Sequence, residues 1–279
     1  MTSLPPPRRS LGQVFLNSER VINRIVSSLD LSLEDTVIEI GPGRGALTNN
    51  LIGACGRLVL VEKDDVLAAF HKERFTDDPS VEVIHSDATV WNCCEVLKDG
   101  QKAKVVGNLP YNVGGQILFN LMQHQGCLTK LVLMFQREVA QRLVAQPGDR
   151  NFGAVSALIQ TRADVRMLFE VSPTKFKPVP KVWSAVVEVV PKVLSPEMAA
   201  MVNDPDFSKI AHGLFAQPRK TCLNSLADGL KTKKAQCQAW LINAGIDPQT
   251  RPANVDIPAI TALYRLIKAD LGHRDGQPL

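Results

Sequence analysis

The sequence lacks the features that mark a membrane protein or a disulfide-rich secreted domain. No apolar run approaches the ~18 residues of a membrane span, and residues 1–10 contain no apolar stretch of the signal-peptide kind. The six cysteines form no CxxC pair and have no histidine at zinc spacing, and Cys93 and Cys94 are adjacent, which disfavours an ordinary bridge. We therefore predict a cytoplasmic protein with reduced cysteines, no metal ion and no membrane contact.

A strong charge of either sign is also missing. The net charge is +4, which permits a nucleic-acid partner without requiring one. Residues 192–279 hold 11 Lys and Arg against 8 Asp and Glu, whereas the rest of the chain holds 21 against 20. The basic excess therefore lies toward the carboxyl end.

The chain is long enough for two domains. Its 279 residues are 45% hydrophobic, which suffices for one large core and a smaller one. The proline-bounded stretch 191–196 is a plausible boundary, and the segments after it have helical patterns. We predict an α/β domain over residues 1–192 and a small all-helical domain over residues 193–279.

A glycine-rich turn follows the first buried strand pattern. The strand Thr-Val-Ile-Glu-Ile at residues 36–40 runs into Gly-Pro-Gly-Arg-Gly at residues 41–45, and a helix pattern starts at residue 46. Strand, glycine turn and helix form the nucleotide-binding βα unit, in which glycines let the backbone approach a ligand. A plain tight turn is the alternative.

Acidic residues near this turn indicate the type of ligand. Glu39 lies inside the strand before Gly41 and Gly43, where a carboxylate would repel a diphosphate but suit an ammonium and a sulfonium group. Glu62 ends the next strand, where it is placed to bind a ribose diol. These positions favour S-adenosylmethionine over a dinucleotide.

Two later strands also deliver polar residues at their carboxyl ends. One strand pattern leads to Asp87, and another leads to Asn108. Four successive strands thus each supply a loop residue at the edge where an open parallel sheet binds its ligand.

The residues from Asn108 onward suit a planar base that carries an amine. The Asn108 side-chain oxygen and the Leu109 carbonyl can accept hydrogen bonds from the amine, and Pro110 restricts Leu109 to extended geometry. Tyr111 can stack on the base, which has to be flipped out of any helix first. A strand followed by an ordinary β-turn is the alternative.

A second aromatic residue lies in a stiff basic loop at residues 173–182. Phe176 is flanked there by lysines and prolines, which favours an exposed ring that stacks on a base opposite Tyr111. The alternative is a core side chain beneath the loop, the usual fate of a phenylalanine.

The carboxyl-terminal helical patterns carry basic residues that are candidates for contacts with RNA phosphates. A solvated face with no partner is the alternative. These residues are Arg219, Lys220, Lys231, Lys233 and Lys234.

From about residue 11 to at least residue 226 the chain resembles the ribosomal RNA adenine dimethyltransferases. Several independent motifs occur in the family's order, which makes the resemblance more specific than any one of them. They are Gly-Gln-Val-Phe-Leu at 12–16, Glu-Ile-Gly-Pro-Gly at 39–43, Gly-Asn-Leu-Pro-Tyr-Asn at 107–112, Phe-Lys-Pro-Val-Pro-Lys-Val-Trp-Ser-Ala-Val-Val at 176–187, and Phe-Ala-Gln-Pro-Arg-Lys-Thr at 215–221.

The resemblance implies a Rossmann-like class I methyltransferase fold and transfer of methyl groups from S-adenosylmethionine to N6 of two adjacent adenines. These adenines lie in the hairpin loop near the 3′ end of small-subunit rRNA, so the partner would be a pre-ribosomal small subunit; we expect a monomeric enzyme. Gly41 would approach the methionine part of the cofactor, Asp87 the adenine amine, and Leu16 the rim. The predicted cofactor site comprises Gln13, Val14, Leu16, Glu39, Gly41, Gly43, Glu62, Asp87, Ala88 and Asn108, and the predicted catalytic set comprises Asn108, Leu109, Pro110, Tyr111 and Phe176.

Three positions depart from the family pattern. Val14 replaces the usual Asn, which removes a side-chain contact to the cofactor. Gly114 and Gly115 stand where Ser or Thr is common, and Pro218 replaces an Arg that is a candidate RNA contact.

Two other functions remain open at this point. A related class of enzymes methylates a single adenine of large-subunit rRNA, although the motif at residues 215–221 favours the small-subunit enzymes. The other alternative is a non-catalytic RNA-binding relative. The presence of Glu39, Glu62, Asp87 and Asn108 argues against it.

Overall fold

The computed structural model describes residues 14–272, so Gln13 of the predicted cofactor site lies outside the described residues. Strands and helices alternate over the first half of this part, and helices dominate after residue 191. The strands are β1 (Phe15–Leu16), β2 (Thr36–Ile40), β3 (Arg57–Glu62), β4 (Val81–His85), β5 (Ala103–Asn108), β6 (Leu128–Gln136), β7 (Ala163–Val171), β8 (Phe176–Lys177) and β9 (Ser184–Pro191). The helices are α1 (Glu19–Ser27), α2 (Thr48–Leu51), α3 (Asp65–Arg74), α4 (Gly114–Gln123), α5 (Arg137–Val144), α6 (Ala154–Arg162), α7 (Pro196–Asn203), α8 (Pro205–Leu214), α9 (Cys222–Leu230), α10 (Lys234–Asn243) and α11 (Ile257–Gly272).

Seven strands form one sheet in the order β4-β3-β2-β5-β6-β9-β7. The pairs from β4 through β6 are parallel, and β9 runs antiparallel to β6. All five residues of β2 are buried, as expected for a parallel strand covered on both faces. The strand order reverses between β2 and β5, and an open α/β sheet binds its ligand at such a switch point.

A second, two-stranded sheet joins segments that are far apart in the sequence. In it β1 pairs antiparallel with β8, so that Leu16 faces Phe176 and Phe15 faces Lys177. The Asn17 N–H also donates to the Lys175 carbonyl over 2.7 Å. The amino-terminal motif and the proline-rich basic loop are therefore neighbours in space.

The chain divides into two compact units. The first comprises the described residues up to Ala140 together with Asp164–Pro191, and the second comprises Gln141–Ala163 together with the described residues from Lys192 onward. The division near residue 192 agrees with the predicted boundary, but the assignment of residues 141–163 to the first domain is wrong. Arg162, at the end of α6, explains why: it donates to the Val202 carbonyl and, over 3.0 Å, to the Asn203 side chain, both at the end of α7.

The second unit is helical, and two of its helices meet at glycines. A Cβ on Gly229 of α9 would lie 2.4 Å from the Gly213 carbonyl oxygen of α8, a separation that real Cβ atoms do not show. The two helices can approach this closely only because neither residue has a side chain. No described helix is long and apolar enough to cross a membrane.

The expectation that all six cysteines are reduced is wrong for one pair. Cys94 and Cys127 form a disulfide with their Cα atoms 5.8 Å apart. The adjacency of Cys93 and Cys94 says nothing against a bridge from either of them to a distant cysteine, and folding brings Cys127 to them. Cys55, Cys93, Cys222 and Cys237 are free and buried.

Candidate functional site

A cleft opens at the carboxyl ends of β2, β3 and β5. Its volume is about 160 Å³, and the first unit supplies all of its walls. Among the predicted site residues, those that line it are Val14, Leu16, Glu39, Gly41, Gly43, Glu62, Asn108, Leu109 and Pro110. The structure therefore brings together residues from three separate motifs and Glu62.

The glycine turn forms the floor of this cleft with a backbone that only glycine adopts easily. Gly41, Gly43 and Gly45 have φ values of +68°, +56° and +84°. A Cβ on Gly41 would meet no atom within 4 Å, whereas one on Gly43 would lie 3.1 Å from the Phe15 ring. Gly41 thus leaves open space for a ligand.

His71 holds the same turn and was missed in the sequence. This histidine of α3 is buried, and its Nε2 lies 2.9 Å from the Gly43 carbonyl oxygen. Because a carbonyl only accepts, Nε2 carries the proton. Burial lowers the pKa of His71, so the ring stays neutral. A histidine on a helix gives no pattern that connects it to a turn 28 residues away.

Glu39 lines the cleft but does not present a free carboxylate to it. Its side chain is 1% exposed, and its Oε2 accepts a hydrogen bond of 2.7 Å from the Thr48 hydroxyl. Burial raises the pKa of Glu39 to about 8, with a smaller contribution from the nearby Glu62. The group is therefore mostly protonated at neutral pH, and the sequence argument from its negative charge fails unless a bound cation restores that charge.

Replacing Glu39 with glutamine tests this assignment. The unfolded carboxyl ionises above its ordinary pKa of about 4.5, whereas the folded one keeps its proton up to about pH 8. The contribution of Glu39 to wild-type stability should therefore fall as the pH rises from 4.5 to 8, and Glu39→Gln should lack this contribution. We expect the difference in Tm between variant and wild type to grow over that range in thermal unfolding. A difference that does not change with pH would contradict a raised pKa.

Glu62 forms hydrogen bonds that hold the glycine turn, and its oxygens can still accept hydrogen bonds from a ligand. Its Oε2 accepts from the Gly43 N–H over 3.0 Å, and its Oε1 accepts from the Asp64 N–H over 2.9 Å. Burial raises its pKa, and these two N–H groups oppose that rise. A carboxylate has about four lone-pair sites, so two remain for a diol.

Asp87 and Ala88 lie at the end of β4, outside the lining of the cleft. Asp87 Oδ2 is 2.6 Å from the ammonium of Lys63, a cleft residue, and this hydrogen bond holds the pKa of Asp87 below its usual range. Ala88 is buried, and its carbonyl accepts from the Asn120 side chain over 3.1 Å. Their contact with a cofactor stays a prediction.

Asn108 supplies the most informative atom of the cleft. Its Nδ2 donates to the Val14 carbonyl over 2.9 Å, which fixes the amide plane. Its Oδ1 is buried and has no hydrogen-bond partner among the described residues. A buried acceptor left unsatisfied costs roughly 1–3 kcal/mol, so this oxygen is suited to a donor on a ligand. Asn108 contacts the backbone carbonyl of Val14. This contact therefore does not depend on the Asn side chain that the family usually has at position 14.

The three residues after Asn108 have different surroundings. Leu109 is buried, and its N–H donates to the Met134 carbonyl over 3.3 Å, while Pro110 lines the cleft. Tyr111 is half-buried outside the lining, and its hydroxyl lies 2.7 Å from the Ser184 hydroxyl. Its ring is thereby held in place, and stacking on a base stays a prediction.

The prediction of an exposed Phe176 is wrong. Its side chain is 1% exposed and packs in the hydrophobic core with Leu16. Pairing of β8 with β1 turns this ring inward, so the alternative of a core side chain holds. The exposed aromatic of the same motif is Trp183, at 43% exposure, with the Arg137 guanidinium 5.9 Å from its ring centroid.

The predicted RNA-binding residues of the second unit are all exposed. Lys220 pairs with Asp228 over 3.0 Å. Lys231 adopts a left-handed backbone at the end of α9, and Lys233 and Lys234 begin α10. Arg219 is exposed as well. Contact with RNA stays a prediction for all five.

An open sheet with a glycine-lined cleft at its switch point is the fold of the class I methyltransferases among others, and solved structures share this fold. A dimethyladenosine transferase from Plasmodium falciparum superimposes with a TM-score of 0.72 at 23% identity, covering 93% of this chain and 98% of that one. The 23S rRNA methyltransferase ErmE gives 0.65 at 21% identity, covering 91% and 99%. Both establish the fold alone.

Sequence comparison narrows the class to a family. The profile of the ribosomal RNA adenine dimethylase family matches residues 6–268. The ribosomal RNA small subunit methyltransferase A of Geobacter metallireducens is 37% identical over 94% of this chain and 96% of its own length. The protein of the same name from Pseudomonas aeruginosa is 34% identical over 96% and 97%. The chain belongs to the ribosomal RNA adenine dimethylase family of methyltransferases, as the motifs predicted.

Proposed function

We propose that the protein transfers methyl groups from S-adenosylmethionine to N6 of two adjacent adenines near the 3′ end of small-subunit rRNA, in the cytoplasm and during assembly of the subunit. The observation that carries this proposal is that Asn108, a residue lining the cleft, has a buried Oδ1 with no hydrogen-bond partner among the described residues. The names of the two bacterial relatives support the small subunit as the substrate.

The cleft residues fit the cofactor. Gly41 leaves room for its methionine part, Glu62 keeps two acceptor sites for the ribose hydroxyls, and Glu39 would ionise beside an ammonium group. When bound, S-adenosylmethionine supplies a methyl group on a positively charged sulfur, which is a good leaving group. To bind the adenine amine, Asp87 would have to release or share the hydrogen bond that it now accepts from Lys63.

The residues around Asn108 would act on the target base. The amine of adenine is a poor nucleophile because its lone pair is delocalised into the ring. Acceptance of its hydrogens by Asn108 Oδ1 and the Leu109 carbonyl favours a pyramidal nitrogen and stabilises positive charge on it. Tyr111, held by Ser184, would stack on the base, so the acceleration comes mainly from positioning.

A reconstituted reaction tests the proposal. Purified protein is incubated with S-adenosylmethionine and unmethylated small subunits, and the 3′-terminal hairpin is read by primer extension. We expect stops at two adjacent adenines, with none on large-subunit rRNA treated in the same way. Stops on large-subunit rRNA alone would assign the protein to the other class, and no modification of either RNA would contradict methyl transfer.

The basic residues of the second unit should govern the salt dependence of RNA binding. Replacement of Lys231, Lys233 and Lys234 with glutamine should flatten the slope of log affinity against log salt by about two to three contacts, because fewer counterions are released. Methyl transfer at saturating RNA should survive. The matched control replaces the exposed lysines Lys72, Lys98 and Lys102 of the first unit. An equal flattening in the control would remove the special role of the second unit.

A further inference from the structure

Folding brings three cysteines together away from the methyl-transfer cleft. Cys93 and Cys94 begin a short 3₁₀ turn (Cys93–Val96) between β4 and β5, and Cys127 ends another (Gln125–Cys127) just before β6. The Sγ atoms of all three lie within 4.8 Å of one another, and those of Cys93 and Cys127 are 3.7 Å apart. Cys94 and Cys127 are bridged, which leaves Cys93 as a third sulfur directly beside the disulfide.

Cys93 differs from the other free cysteines because it belongs to this cluster. Cys93 is fully buried, whereas Cys94 and Cys127 are partly exposed, so the cluster has a closed side and an open side. A thiophilic cation deprotonates the thiols that coordinate it.

The separation of the sulfurs matches the size of such an ion. Tetrahedral zinc binds thiolates at about 2.3 Å, which places two bound sulfurs about 3.8 Å apart. The Cys93–Cys127 distance of 3.7 Å already has this value. Reduction of the bridge would release Cys94 to relax to the same separation.

The backbone that carries the cysteines is held by contacts other than the disulfide. The Asn120 side chain of α4 donates to the carbonyls of Ala88 and Trp91 over 3.1 and 2.7 Å. The Asn92 side chain accepts from the Cys94 N–H over 3.0 Å. These bonds anchor the segment before the cysteines, so the three sulfurs should stay near one another after reduction.

We propose that the reduced cluster of Cys93, Cys94 and Cys127 binds one thiophilic divalent cation of the zinc type. A dithiol reductant first opens the Cys94–Cys127 bridge and is itself oxidised to a disulfide. The cation then forms three metal–sulfur bonds, and three protons leave the thiols. The disulfide form cannot bind the cation in this way because two of the three sulfurs are bonded to each other. The site is thus available only under reducing conditions.

Cobalt(II) is a suitable probe because thiolate coordination gives it absorption bands that other ligands do not. The full-length protein is reduced, freed of reductant without oxygen and titrated with Co²⁺. We expect one equivalent to produce thiolate charge-transfer bands, which zinc then abolishes, and no bands in the disulfide form. Cys93→Ser should weaken binding at least about tenfold, the scale of effect seen even for groups that only support metal ligands. Cys55→Ser is the matched control, since Cys55 is a buried free cysteine outside the cluster.

A second measurement uses the wild-type chain and does not depend on the folding of a variant. Alkylation with iodoacetamide, followed by peptide mass spectrometry, should modify Cys94 and Cys127 in the reduced protein and spare both when zinc is present. Absence of thiolate bands in the reduced wild type would overturn the proposal, as would equal affinity in Cys93→Ser and Cys55→Ser. Alkylation of Cys94 and Cys127 at the same rate with and without zinc would also overturn it. None of these readouts depends on methyl transfer.

Discussion

Substitution of Asn108 with alanine is expected to lower the rate of methyl transfer by roughly 10²–10³-fold, the size of effect found when a group that stabilises transition-state charge is removed. The Asn108 Oδ1 is a buried acceptor with no partner among the described residues, and the proposed interaction with the target amine would strengthen as positive charge grows on the nitrogen. Its contribution should therefore appear in kcat much more than in substrate binding.

Single-turnover methylation at saturating RNA and cofactor measures this effect, and calorimetry with S-adenosylmethionine measures the binding. Asn112→Ala is the matched control, because Asn112 also lines the cleft but is exposed. Near-normal turnover in Asn108→Ala would remove this residue from the mechanism. A large loss of cofactor affinity would instead assign it to binding, through its bond to the Val14 carbonyl.

Much of the fold could be predicted because its signals are local. The strand, glycine turn and helix at residues 36–51 have a recognisable pattern, and the positive φ values of Gly41 and Gly43 are what that pattern requires. The residues at the ends of β2, β3 and β5 were identified for a similarly general reason, since the carboxyl ends of parallel strands lie at one edge of a sheet.

The errors concern contacts between residues far apart in the sequence. Whether Phe176 is exposed depends on its pairing with Leu16, which lies 160 positions earlier in the chain, and no feature of the loop itself encodes that pairing. The Cys94–Cys127 bridge and the bond from His71 to the glycine turn have the same origin. Residues 141–163 were misassigned because their helical pattern does not reveal which helices they pack against.

Glu39 shows a second reason why the site could not be fully predicted from the sequence, and this reason is electrostatic. Its position beside the glycine turn was predicted, but its protonation depends on burial and on Thr48 and Glu62, which only the folded structure brings to it. A pattern of residue types gives formal charges, whereas the charge that a ligand meets follows from solvation.

Gly107→Ala is expected to disrupt both stability and catalysis, because this glycine belongs to the last register pair of β2 and β5 and directly precedes Asn108. Its register partner is Ile40, and an added Cβ would lie 2.8 Å from the Ile40 carbonyl oxygen, a backbone atom that cannot rotate away. The strands have to separate, at a cost of roughly 1–3 kcal/mol for an overpacked core, and Asn108 moves with the end of β5. Urea unfolding measures the stability, and single-turnover methylation measures the catalytic loss.

Gly115→Ala provides the matched control for Gly107→Ala. A Cβ on Gly115 meets no atom within 4 Å, and the residue lies in α4. Its replacement should raise stability by roughly 0.4–1 kcal/mol, because alanine restricts the unfolded chain and suits a helix. The two substitutions are chemically identical and should have effects of opposite sign. If Gly107→Ala unfolds at the same urea concentration as the wild type and retains full activity, the close approach of β2 and β5 is not what positions Asn108.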